Sequence, residues 1–191
     1  PTPERLNVLK EYIDRRSNRR EKPMRAAEMA YYTFDILSDY GAYRDLQRHR
    51  MVSQIAQPLT IIHGYDVPPE LAEVGFEEKF HECMSAAADL YKKIFAKYPN
   101  EAQYIVPFAY KIRYLFSFNV REAFHLIELR SMPQGHPSYR QVVQQMYYQI
   151  KKVHPVFAQY MRYVYLDERD SLGRLKGELR TQEKLAKLDG D

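Results

Sequence analysis

Arg48, His49 and Arg50 place two permanent cations and a titratable imidazole in three consecutive positions, with Arg44 one helical turn earlier. Guanidinium groups at that density suit a phosphate or pyrophosphate, which they grip through paired N–H donors. The same run would also fit a helix C-terminus, where cations complement the helix dipole, and the residues alone leave both readings open. A second constellation consists of Asn119, Arg121, His125, Glu128 and Arg130. On an ideal helix Arg121, His125 and Glu128 fall within roughly 60° of one another, whereas Arg130 lies about 180° from Arg121. One helix would therefore carry two polar faces pointing in opposite directions. Asn119 is also a good N-cap, and His125 can be bonded to Arg121 or to backbone as readily as to a ligand. A third group, Arg15, Arg16, Arg19, Arg20 and Lys22, could hold phosphate or form the solvated basic end of a helix.

The apolar pattern indicates the elements that would carry these groups. Thr2 and Pro3, then Leu6, Leu9, Tyr12 and Ile13, predict a capped helix with one apolar face, running over residues 3–17 into the arginine cluster. From Glu28 to Ile36 the residues turn β-rich, Gly41 punctuates, and a short helical segment reaching Arg50 is expected. Between Phe76 and Tyr98, Phe76, Phe80, Cys83, Met84, Ala87, Leu90, Tyr91 and Ile94 recur at helical spacing, predicting the longest helix with Cys83 in the core. The period then changes: Tyr110, Ile112, Tyr114, Phe116 and Phe118 alternate with Lys111, Arg113 and Ser117, a strand with one aromatic face.

After Asn119 the spacing becomes helical again through Ala123, Phe124, Leu126, Ile127 and Leu129, and it breaks at Pro133, Gly135 and Pro137. Another helix follows with Tyr139, Val142, Val143, Met146, Tyr147 and Ile150 on one face, and Pro155 separates a shorter one carrying Phe157, Tyr160, Met161 and Val164. Residues 167–191 are charge-rich, with a thin stripe of Leu172, Leu175 and Leu179, and Gly173 and Gly177 weaken any helix there. The expected organisation is a single domain over residues 1–166 followed by a charged tail or partner-binding extension over 167–191.

With 191 residues, 45% apolar and 14% aromatic, the chain can build a substantial core. No stretch approaches the roughly 20 apolar residues of a membrane span, so no membrane partner is expected. The start at Pro1 lacks both an initiating Met and the apolar core of a signal peptide, which suggests a fragment or processed piece. Cys83, the single cysteine, excludes an internal disulfide and a thiolate zinc site; no metal site is assigned, and a reducing cytoplasm fits. The net charge of +4 favours anionic partners, among which phosphorylated cofactors, nucleotides and nucleic acid all qualify.

Two ordered motifs resemble those of the flavin-dependent thymidylate synthases, also called thymidylate synthase complementing proteins. Arg48-His49-Arg50, with Ser53 after it and Tyr32-Thr33-Phe34 before it, is similar to the family's Arg-His-Arg signature preceded by Phe-Thr-Phe. Ser117-Phe118-Asn119-Val120-Arg121, then His125, then Leu129-Arg130, resembles the family's Asn-x-Arg, His or Asn, and Leu-Arg. The resemblance covers about Lys22 to Tyr165. It implies that Arg48, His49, Arg50, Asn119, Arg121 and His125 contact FAD, and that Arg130 meets the uracil ring of dUMP as the catalytic residue. It also implies NADPH and methylenetetrahydrofolate as co-substrates, and a homotetramer whose sites are shared between subunits.

Departures from the pattern are concentrated on the nucleotide side. Pro58 and Thr60 stand where the signature has Ser and Arg, Ala56 where it has Glu, Gln103 in place of an Arg, and Asp45 in place of a Gln. Each lost arginine removes a charge-assisted phosphate contact worth about 1.5–3 kcal/mol. Two such losses imply dUMP binding weakened by roughly 10²-fold to 10⁴-fold at this chain's own pocket. The family's N-terminal strands are mostly absent, which suggests the second half of a duplicated chain whose first half would be a partner of the same family.

The expected fold is α+β, mainly helical around a small antiparallel sheet, and the expected role is an FAD-binding domain in dTMP synthesis with its own dUMP site degraded. A catalytically inactive assembly domain of the same fold is the first alternative. A basic nucleic-acid-binding protein is the second, with no recognisable nucleic-acid module behind it.

Overall fold

Ile112, Tyr114, Phe116 and Phe118, at alternate positions of one strand, are each no more than 3% exposed, while the residues between them face outward or lie part-buried. That two-residue period sets the sheet, since successive side chains of a strand point to opposite faces. The computed structural model describes residues 2–167 and 172–188. It is an α+β fold, mainly helical, with one small antiparallel sheet of strands β1 (Tyr31–Asp39), β2 (Ser53–Ala56) and β3 (Lys111–Asn119) in the order β1-β3-β2. The chain divides into two compact units, residues 35–116 and residues 1–34 together with 117–191.

Within residues 35–116, β1 ends at Asp39, whose carboxylate accepts the amide of Ala42 at 2.8 Å and caps α2 (Tyr40–Leu46). Gly41 is part of α2 rather than the break before it, because Asp39 makes the turn. A Cβ on Gly41 would come within 3.0 Å of the capping oxygen, so a larger residue there would shift the Asp39 carboxylate. A short helix, α3 (Pro69–Glu73), leads into α4 (Glu77–Phe95), the longest helix described. Met84 and Tyr91 of α4 join Ala102, Val106 and Tyr110 in a core that Leu59, Ile61 and Phe80 complete. Each fully buried large apolar side chain contributes about 1.5–3 kcal/mol. Cys83 lies outside that core and is exposed, as are Phe76 and Leu90; the apolar stripe is wider than the surface covering it.

In the other unit α1 (Pro3–Ile13) follows Thr2, which stands at the N-cap without a side-chain bond. The helix stops at Ile13 instead of continuing to residue 17, so the arginine cluster belongs to the segment beyond it. A 3-10 helix, Arg25–Met29, precedes β1. Asn119 ends β3 and accepts the Glu122 amide at 2.8 Å, which starts α5 (Val120–Arg130). Phe124, Leu126 and Ile127 of α5 are fully buried, as are Val143 and Ile150 of α6 (Pro137–Val153). The segment after Pro155 is a single turn, α7 (Pro155–Ala158), and Met161 is buried just past its end. Of the expected tail, residues 173–188 form α8 (Gly173–Leu188), while 168–171 and 189–191 lie outside the described residues. Gly177 lies against the end of the Gln134 side chain, which a Cβ there would meet at 2.6 Å and push aside. Among the described residues no helix is long and apolar enough to cross a membrane.

Candidate functional site

The first constellation sits in the turn after α2. Capping by Asp39 fixes the start of this short helix, and His49 closes its end by donating its amide to the Leu46 carbonyl at 3.1 Å. The His49 side chain is only 6% exposed, while Arg48 and Arg50 on either side of it are exposed. Arg48 approaches Asp45 at 4.0 Å, too far for a hydrogen bond, and its side chain keeps 71% of its exposure. Arg44 is occupied differently: its guanidinium carbon lies 5.9 Å from the Tyr40 ring centroid and 5.8 Å from that of Phe108. The turn thus carries two outward guanidinium groups on a buried imidazole.

The second constellation lies along α5. Asn119 serves as its N-cap, the structural role its position predicts. Arg121, His125 and Glu128 share one face, and that face meets the segment of residues 16–28. Arg121 donates Nε to the Pro23 carbonyl at 2.9 Å and Nη1 to Glu28 at 2.8 Å. His125 Nδ1 is in hydrogen-bond contact with Lys22 Nζ. An ammonium only donates, so Nδ1 is the acceptor when Lys22 is charged. Burial lowers the Lys22 ammonium below its ordinary range, partly countered by the Glu122 carboxylate. Glu128 is fully buried and paired with Arg16, whose Nη1 donates to Oε1 at 3.0 Å and whose Nη2 meets Oε2. Arg130 ends α5, and its guanidinium carbon is 5.5 Å from the Tyr139 ring centroid. Arg121 and Arg130 both lie on α5, nine residues apart, a spacing that helical geometry places on opposite sides of the axis.

Arg16, Lys22 and Glu28 are the side chains that sequence reasoning did not connect with α5. The arginine cluster gave a signal for Arg16 and Lys22, although Arg16 proves buried rather than solvated. Glu28 gave none, because its partner is 93 residues away.

The positions that depart from the family pattern have local duties. Gln103 accepts the Leu59 amide at 2.9 Å and donates to the Asn100 carbonyl at 3.2 Å, tying the chain after β2 to the 3-10 helix Glu101–Ile105. Thr60 accepts the Ile62 amide at 3.4 Å. A side chain used in this way holds backbone in place, where an arginine would have offered free donors.

The chain is an α+β fold with two arginine–histidine constellations, one in the turn after α2 and one along α5. The family profile described as thymidylate synthase complementing protein matches residues 5–156, and the chain belongs to that family. It is 45% identical over 94% of its length to a UPF0159 protein of Chlamydia muridarum, and 40% identical over 95% to one of Chlamydia pneumoniae. A UPF0159 protein of Thermoplasma acidophilum is 43% identical over 91% of the chain. The matched region covers 34%, 34% and 35% of these proteins, so the chain spans about a third of the length of the curated relatives it matches.

Proposed function

We propose that this chain is an FAD-binding part of a flavin-dependent thymidylate synthase, and that its own dUMP site is degraded. The observation behind this is the turn after α2, where Arg48 and Arg50 stand exposed on either side of buried His49. Two outward guanidinium groups held by one fixed residue suit the diphosphate of a dinucleotide, which needs several donors at a defined spacing. Asn119, Arg121 and His125 are further proposed flavin contacts, and Arg130 is assigned to the uracil ring of dUMP. When bound, FAD would supply the hydride that completes the methyl group of dTMP, with NADPH as its reductant and methylenetetrahydrofolate as the carbon donor. The protein's part is to hold and orient: Arg48 and Arg50 neutralise phosphate charge, and His49 fixes the turn from which they project.

The nucleotide side is weaker, because Ala56, Pro58, Thr60 and Gln103 replace the residues that would grip dUMP. A related first half of a longer chain would supply what is missing, whereas a further copy of this chain repeats the same replacements.

Separate titrations with FAD and dUMP test the proposal. Flavin absorbance should shift with a dissociation constant below about 0.1 mM, an affinity of at least roughly 5.5 kcal/mol, while dUMP alone should bind at least 10²-fold more weakly than it would to a site with both arginines. Failure of FAD to bind at that concentration favours a second role, a catalytically inactive assembly domain. The specific observation on that side is the engagement of Arg121 and His125 by the chain's own residues.

A further inference from the structure

The segment between α1 and β1 lies along the polar face of α5 and is attached to it unequally. At its near end Arg16 holds Glu128, with side chains 4% and 0% exposed. The Arg16 guanidinium carbon also lies 5.0 Å from the Phe124 ring centroid and 5.4 Å from that of Tyr163, and Arg162 donates to the Arg16 carbonyl at 2.6 Å. That end is an anchor, because separating the pair would strand two charges in the interior. The far end is held by more exposed side-chain pairs, with the Pro23 carbonyl accepting from Arg121 Nε at 2.9 Å and the Ala30 carbonyl from the Val120 amide at 2.8 Å. Glu28 and Arg121 are 24% and 35% exposed and form one 2.8 Å ion pair; Glu28 is also 3.5 Å from the exposed Arg25, and the Lys22 contact to His125 is part-buried.

On the footing of the flavin role proposed above, we infer that residues 22–28 form a releasable strap that competes with an anionic dinucleotide for Arg121 and His125. Glu28 occupies the donor that a phosphate oxygen would need, and its carboxylate repels the same phosphate. A phosphate at Arg121 meets the Glu28 carboxylate on the same guanidinium, so strap closure opposes ligand binding. Displacement would lift residues 22–28 between the Arg16 anchor and the bond from the Val120 amide to the Ala30 carbonyl, which leaves Glu128 paired throughout. The strap also carries Lys22, whose release from His125 would leave an ammonium near the incoming phosphate. The segment would thus change from a cover of the face into a source of one of its cations.

The test uses the 191-residue chain and its E28Q variant, which is close to isosteric and lies far from the anchor. Each is titrated with FAD, and hydrogen exchange of residues 16–28 is followed with and without FAD; thermal melting confirms that the variant folds. K22M serves as a second variant that loosens the strap at its other contact. The expected result is FAD binding about tenfold tighter in E28Q, from the freed donor and the removed repulsion. Exchange at residues 22–28 should also be faster on adding FAD to the unmodified chain, while Arg16 and its neighbours stay protected.

Equal affinity in both proteins, with exchange in the strap unaltered by bound FAD, would overturn the strap and leave the flavin role standing. If strap exchange rises in E28Q and in K22M but FAD binds none of the three proteins, the flavin role itself is overturned, and the competition with it.

Discussion

Arg16 donates both arms of its guanidinium to Glu128, and neither side chain reaches solvent. A buried pair of this kind owes its place to mutual neutralisation, so removing one partner costs far more than removing both. R16M alone should lower unfolding free energy by about 3–5 kcal/mol in urea denaturation, while R16M combined with E128L should recover most of that loss. Equal losses in the single and double variants would show that the pairing is not what holds the residues.

Tyr32 offers a titration to follow: burial raises its phenol from 10.0 to about 12. Because the folded value lies above the unfolded one, the folded state binds more protons between them. The stability it contributes is complete below about pH 10 and is lost as pH rises through about 12. Melting temperature should fall over that window, and Y32F should fall less steeply. At this scale the sequence showed Asn119 as a cap and Arg130 as opposed to Arg121, since both follow from neighbouring positions on a helix. The partners of Arg16 and Arg121 were hidden, being 112 and 93 residues away.

The elements differ in how well local pattern described them. β3 and α5 were readable because one face of each is covered throughout, which leaves an unbroken period of two or of helical spacing. The end of α1 was not readable: nothing in the charges after Ile13 distinguishes a continuing helix from a segment that turns to bury Arg16. α4 has more apolar residues than neighbours to cover them, so its pattern announced a helix without saying which side was inside. Cys83 therefore points outward, and a thiol reagent should label it in the folded protein at a rate close to that of the unfolded chain; strong protection would contradict its exposure.

Capping gives a second test of an element. N119A should lose about 1 kcal/mol of stability by leaving the Glu122 amide without its acceptor, and N119S should restore it, because serine caps equally well. If Asn119 also touches flavin, N119S keeps stability but binds FAD more weakly. That separates the two duties of one residue.

For the whole molecule, the weight falls on what the chain leaves uncovered. Met29, Met51, Ile55, Ile62 and Tyr104 are 72–90% exposed, in a chain spanning about a third of its curated relatives. Scattered apolar side chains are ordinary on a surface, but side chains this large and this open are the material of subunit contacts. Sedimentation should show concentration-dependent association of the isolated chain, and a strictly monomeric species at all concentrations would argue against shared sites. The α+β class and family membership were legible in the motifs, whereas the covering of α5 by residues 16–28 arises only from the folded chain.

Titrating FAD into the unmodified chain and into R48Q/R50Q, side by side at one ionic strength, addresses the proposed function most directly. Two charge-assisted contacts of about 1.5 kcal/mol each predict that the double variant binds roughly 10²-fold more weakly with its fold unchanged. FAD held equally well by both proteins, or by neither, would contradict the assignment of that turn to the flavin diphosphate.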